Sequence, residues 1–193
     1  DLNSSKMRNA KSGNWWEKHA EFALANNSAV YETIPDTGEF LEEWKALYDS
    51  KSGERGIYYR QGIRNKTEKA GRRDASLIVG TNPCGEIALR SAGLCNLTEV
   101  VARPEDTHET LKRKIELATI LGTIQSTYTD FRYVRNIWKR NAEEERLLGV
   151  SLTGIYDNVS LSTPGRELSE LLDKLRESAV KVNAKYADVL GIE

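Results

Sequence analysis

Apolar and polar residues alternate along this chain with two different periods, and each change of period marks an element. Asn14-Trp15-Trp16-Glu17 has the form of a capping box, a side-chain acceptor answered three residues later by Glu, and predicts a helix to about Ala25. A second helix is predicted from near Thr37, where Phe40, Leu41, Trp44, Leu47 and Tyr48 recur at three- and four-residue spacing until Gly53 interrupts them. Ser76-Leu77-Ile78-Val79 is a short apolar run closed by Gly80. It predicts a buried strand feeding a turn at Thr81-Asn82-Pro83-Cys84-Gly85, with the next strand over residues 94–101. Thr107 opens a long helix with Leu111, Ile115, Ala118, Leu121 and Ile124 on one face, and a second helical stretch surrounds Val134, Ile137 and Trp138. Residues 147–155, with Gly149 and Gly154, predict another strand and turn. Thr163-Pro164 supplies an N-cap with proline at the first helical position, and Leu168, Leu171, Leu172, Leu175, Ala179 and Val182 then face inward. Strands alternating with long helices make this an α/β chain, without internal repeats or low-complexity tracts.

Residues 55–73 break the pattern: seven basic side chains (Arg55, Arg60, Arg64, Lys66, Lys69, Arg72, Arg73) face one acidic residue, Glu68. This segment is expected to be a loop-rich, solvated stretch; the functional alternative is contact with nucleotide phosphates or with another part of a larger barrel. Over the whole 193 residues the charges nearly cancel at −1, so nothing global points to nucleic acid or an anionic membrane. A composition of 39% apolar and 30% charged residues is ordinary for a globular protein and carries no function. No apolar run approaches the roughly 20 residues of a membrane span, and Asp1-Leu2-Asn3-Ser4 lacks the pattern of a signal peptide, so a cytoplasmic location is expected. The first residue is not Met and the sequence stops at Gly191-Ile192-Glu193 after a helical pattern, which suggests a split gene product or an excised segment.

Only two cysteines occur, Cys84 and Cys95. Asn82-Pro83-Cys84-Gly85-Glu86 sets an amide, a thiol and a carboxylate at alternate positions, with Pro83 and Gly85 tightening the turn between them. Such a loop can carry a sulfur and a carboxylate into one pocket. Equally, a short Cys-Gly-Glu string is often a satisfied turn with a small apolar Cys. A structural Cys84–Cys95 disulfide fits poorly with a cytoplasmic protein, and His19 and His108 do not fall at zinc-site spacings, so no metal ligands are expected.

The longer string decides between these. Asn82-Pro83-Cys84-Gly85-Glu86-Ile87, the eleven-residue step to Cys95, and Cys95-Asn96-Leu97 resemble the active-site loop and following strand of adenosylcobalamin-dependent (class II) ribonucleotide reductases. Trp15-Trp16, Ala25-Asn26-Asn27-Ser28-Ala29, Ser52-Gly53-Glu54-Arg55-Gly56 and Arg146-Leu147-Leu148-Gly149-Val150-Ser151-Leu152-Thr153-Gly154 are similar to other blocks of that family in the same order. The resemblance implies that Cys84 becomes the thiyl radical that takes the 3′-hydrogen, that Glu86 is the general base for the 3′-hydroxyl, and that Asn82 bonds the substrate hydroxyl or Glu86. Cys95 would be one of the two reducing thiols, and residues 26–28 would line the site. The chain departs from the family in holding no third cysteine to complete the reducing pair. It also has no Lys-Pro-Ser-Gly-Thr-like turn for substrate phosphate and no cysteine pair near its end.

The resemblance further implies part of a ten-stranded α/β barrel, with residues 1–193 as a single partial catalytic domain and the active-site cysteine on an inner loop at about residues 80–93. It implies adenosylcobalamin as cofactor, its cobalt held by the cofactor itself. The implied partners are a ribonucleotide di- or triphosphate substrate, a deoxynucleotide effector in the full enzyme, a thioredoxin-type reductant and complementary barrel segments, with neither nucleic acid nor membrane. Two alternatives stand beside it: a fragment of a metal-dependent (class I) reductase large subunit, and a non-catalytic split-gene or extein segment that acts only with its complement.

Overall fold

The computed structural model describes residues 4–192, so Asp1-Leu2-Asn3 at the start of the sequence, and Glu193, lie outside the described residues. The chain divides into two compact units, the first running to Ser91 and the second from Ala92, a boundary that falls inside the expected active-site loop.

The first unit opens with two single-turn helices, α1 (Ser5–Arg8) and α2 (Trp15–Lys18), and a 3-10 turn at Ala20–Leu24. The continuous helix expected from Asn14 is not formed. Asn14 makes no capping hydrogen bond, and the chain turns so that Lys11, only 7% exposed, donates to the Ala25 carbonyl at 2.6 Å and lies over the Trp15 ring. Strand β1 (Ser28–Tyr31), helix α3 (Thr37–Ser50) and strand β2 (Gly56–Tyr59) then make a parallel strand–helix–strand unit in which Ser28 pairs with Gly56 and Tyr31 with Tyr59. Asp36 caps α3 by accepting from the Glu39 N–H at 3.0 Å. The apolar stripe of α3 does not face inward as its spacing predicts: Trp44 is 54% and Tyr48 72% exposed, while Glu43 is buried at 2%. The reason is electrostatic. Arg55 grips Glu43 through two hydrogen bonds of 2.8 and 2.7 Å, and Arg8 adds a third at 3.0 Å, so the carboxylate face is the one the unit must enclose.

The cationic segment is therefore not the loop its composition suggests. Arg55 is buried at 4%, β2 follows it, and residues from Arg60 form helix α4 (Arg60–Ala70), where Arg60 pairs with Glu32. After a 3-10 turn at Ala75–Leu77, strands β3 (Ile78–Thr81) and β4 (Ala88–Arg90) close an antiparallel hairpin, with a register shift between Ile78 and Gly80. Ile78 is fully buried but Val79 is 44% exposed, so this run has one inward face and not two.

In the second unit strand β5 (Leu97–Val101) pairs in parallel with β6 (Gly149–Thr153), and helices α5 (His108–Gln125) and α6 (Asn136–Glu145) lie between them in sequence. A short helix α7 (Val159–Ser162) leads to the long α8 (Arg166–Leu190). Thr107 caps α5 as expected, with a reciprocal bond to Thr110. The core joins Val100, Ala102, Leu111, Ile115, Ala118, Leu161, Leu171 and Leu175. Beyond Ala118 the inward row of α5 follows the 3.6-residue period through Thr119, Gly122 and Thr123, leaving Leu121 and Ile124 outside. The buried threonine hydroxyls are satisfied by donating to the carbonyls four residues earlier, each at 2.7 Å. Helix α8 starts two residues later than Thr163-Pro164 predicts, because the Thr163 N–H is engaged by the Val159 carbonyl and finishes α7. Leu172 lies outside its buried face. No described helix is long and apolar enough to cross a membrane.

Candidate active site

The hairpin of β3 and β4 carries the chemistry-bearing loop. Asn82-Pro83-Cys84-Gly85 makes a tight turn in which the Gly85 N–H donates to the Asn82 carbonyl at 3.1 Å. Proline presets the backbone at the second position, and Gly85 takes φ +92°, which side chains with a Cβ rarely adopt. Asn82, 6% exposed, ties the loop from within. Its Oδ1 accepts from the Ile87 N–H at 3.0 Å, and its Nδ2 donates to Glu86 Oε1 at 2.6 Å. Of the two partners expected of Asn82, the geometry gives Glu86. Cys84 and Glu86 are both exposed, so a thiol and an oriented carboxylate stand two residues apart on the rim of one turn.

Four side chains from outside the hairpin donate to its carbonyls. Arg64 reaches Ile78 at 2.9 Å, Tyr58 reaches Gly80 at 3.0 Å, Asn26 reaches Pro83 at 2.9 Å and Arg73 reaches Ala88 at 2.8 Å. Burial pushes the Tyr58 hydroxyl above its ordinary range, which keeps it a donor. Sequence reasoning missed Tyr58, Arg64 and Arg73. The signal was present as a run of donors just before a strand, but charge density alone cannot tell a solvated cation from one bound to a carbonyl. The same unit also holds the buried Glu43–Arg55 ion pair, which the half-buried Arg8 joins. The Arg55 hydrogen bonds hold the Glu43 carboxyl below the usual carboxylate range against the opposing effect of burial, with Arg8 assisting.

Cys95 lies in the second unit and is an exposed thiol. The next residue fixes its backbone: Asn96 is 6% exposed, donates through Nδ2 to the Gly122 carbonyl at 3.1 Å, and accepts from the Gly149 N–H at 2.9 Å. A cavity of about 10 Å³ beside it, lined by Leu94, Asn96, Ser126, Asn141, Arg146 and Leu147 among others, has room for about one water and not for a nucleotide.

The chain is 30% identical over 199 aligned residues, 88% of its length, to an adenosylcobalamin-dependent ribonucleoside-triphosphate reductase of Lacticaseibacillus paracasei. The chain is homologous to a segment of these reductases. Proteins of the same name from Lactobacillus acidophilus and Lactobacillus helveticus match at 34% over 60% of the chain and 38% over 42%. The chain spans about a quarter of the first relative and 16% and 10% of the other two. No protein-family model matches, and no solved structure gives a significant match. Two further blocks that carry the resemblance to the reductases have places in the first unit. Asn26 and Ser28 stand at the cysteine turn, Glu54 pairs with Lys11 at 3.3 Å, and Arg55 closes on Glu43.

Proposed function

We propose that the chain is the radical-loop segment of an adenosylcobalamin-dependent ribonucleotide reductase and works as part of a larger α/β barrel. The observation that carries this reading is the turn itself: an exposed thiol at its rim, with a carboxylate two residues on held by a buried amide. Exposure of the Cys84 thiol fits a group that must give up a hydrogen atom to a radical made outside the loop. The cofactor, when bound, supplies that radical by homolysis of its cobalt–carbon bond.

Cys84, as a thiyl, takes the hydrogen atom from C3′ of the ribose and becomes a thiol again. Glu86 accepts the 3′-hydroxyl proton, which drives loss of the 2′-hydroxyl as water once a reducing thiol has protonated it. Two electrons come from Cys95 and a partner thiol that this chain does not contain, leaving a disulfide, and Cys84 returns its hydrogen atom to C3′. A thioredoxin-type dithiol then reduces the disulfide. The substrate is a ribonucleotide, the triphosphate being the form in the relatives' names, and a deoxynucleotide effector acts in the full enzyme. Complementary barrel segments fit the surface that the units present. Trp44 and Tyr48 on α3, and Leu117, Leu121 and Ile124 on α5, are exposed apolar side chains on helices that flank parallel strands.

Co-expression with the remaining reductase segments, followed by a deoxynucleotide assay with adenosylcobalamin, tests the reading. Glu86→Gln removes the base with little change of volume, and is expected to lower turnover at least about a hundredfold while Cys84 radical formation persists. Unchanged turnover in that variant would remove Glu86 from the mechanism.

A further inference from the structure

We propose that Asn26, braced by Ser28, is a positioning residue for the Cys84 thiol; this rests on the reading of residues 82–86 as the radical loop. Among the four outside donors to the hairpin, Asn26 is the one that reaches the turn. Its Nδ2 bonds the Pro83 carbonyl at 2.9 Å, the oxygen of the peptide group that leads into Cys84. The other three donors bind carbonyls of β3 and β4. Holding the Pro83–Cys84 peptide plane anchors the Cys84 N and Cα and so restricts the directions in which its Cα–Cβ bond can leave the turn, and an atom-transfer step depends steeply on that direction.

The amide is itself aimed. Ser28 Oγ donates to Asn26 Oδ1 at 2.5 Å, which leaves the Nδ2 side of the carboxamide turned to Pro83. Ser28 has room for this because its partner across the parallel β1–β2 register is Gly56, where an added Cβ would stand 2.8 Å from the serine oxygen. Two sequence blocks some thirty residues apart thus meet at one hydrogen-bond relay, Gly56 making space, Ser28 orienting, Asn26 holding the turn.

Amide hydrogen exchange on the full chain reads the clamp without any catalytic assay. Asn26→Asp keeps the size and the bond from Ser28 but sets an acceptor against the Pro83 carbonyl. In both Asn26→Asp and Asn26→Ala, exchange at Gly85 and Ile87 should rise about three- to tenfold, the equivalent of one hydrogen bond. Ala102, whose N–H bonds Thr153 in the second unit, should not change. Unchanged Gly85 and Ile87 amides overturn the proposal, and so does a uniform rise across the first unit in Asn26→Asp, which would make Asn26 a general stabiliser. In the reconstituted reductase Asn26→Ala should lower kcat about ten- to hundredfold with KM within about twofold, the mark of a misaligned reacting group and not of lost binding. A kcat equal to wild type overturns the positioning role. Cys84→Ser, run alongside, separates the two claims: if it leaves turnover intact the radical-loop reading fails, whereas if it abolishes turnover and Asn26→Ala does nothing, the positioning claim alone fails.

Discussion

The two units are held together by different physics. The second has a contiguous aliphatic core built from β5, α5, α7 and α8, and its buried polar residues are neutral amides and hydroxyls. In the first, the buried apolar residues are Ala29, Tyr31, Tyr58 and Ile78, and the buried polar ones include Lys11, Glu43 and Arg55. Apolar burial is non-directional and tolerates small shifts, whereas a charged hydrogen-bond frame fixes orientation at a cost in desolvation. The turn that bears Cys84 belongs to the unit built from directed bonds. If the turn aims the Cys84 sulfur as proposed, four directed hydrogen bonds to the hairpin's carbonyls suit that task better than non-directional apolar packing.

The largest effect expected from this contrast is at Glu43. Glu43→Gln leaves Arg55 buried without its counter-charge and should destabilise the first unit by about 3–5 kcal/mol, while α5 amides in the second unit keep their protection. Denaturant melts followed by hydrogen exchange measure both, and a loss below about 1 kcal/mol would show that the ion group is peripheral. The counterpart in the second unit is Leu111→Ala, a cavity in the aliphatic core. A loss of about 2–4 kcal/mol confined to that unit is expected, and equal loosening of the cysteine turn would erase the contrast. The smallest effect is that of acid. Because Arg55, then Arg8, hold the folded Glu43 carboxyl below its ordinary value of 4.5, the stability it contributes is present above that pH. That contribution is lost as pH falls through the folded value. Wild type and Glu43→Gln should therefore converge in stability as the pH is lowered below about 4.5, and a constant gap down to pH 2 would contradict the linkage.

Much of this was legible in the sequence, for reasons that differ by residue. Thr107 announced α5 because a cap is a local device, and the turn at residues 82–85 was legible because proline and glycine act on their own backbone. The parallel pairing of β1 with β2 and of β5 with β6 agrees with an α/β alternation. What periodicity could not give was the orientation of α3. Its apolar stripe competes with Glu43, and the winner depends on Arg8 and Arg55, which lie 35 and 12 residues away in sequence. Arg64 and Arg73 were misjudged for the same reason, since a carbonyl acceptor leaves no trace in composition. Within the site, the bond between Asn82 and Glu86 was one of two partners that the family resemblance implied for Asn82, while the Asn26 contact, 57 residues from Pro83, was not foreseen.

The central claim is that Cys84 is the hydrogen-atom carrier. The direct measurement is tritium exchange between the 5′-hydrogens of adenosylcobalamin and solvent, in the chain reconstituted with the remaining reductase segments. If the exchange passes through the Cys84 thiol as proposed, it should occur with the wild-type chain and vanish with Cys84→Ser, whose hydroxyl cannot serve as the carrier, while Cys95→Ser retains it. Exchange that persists in Cys84→Ser would contradict the account.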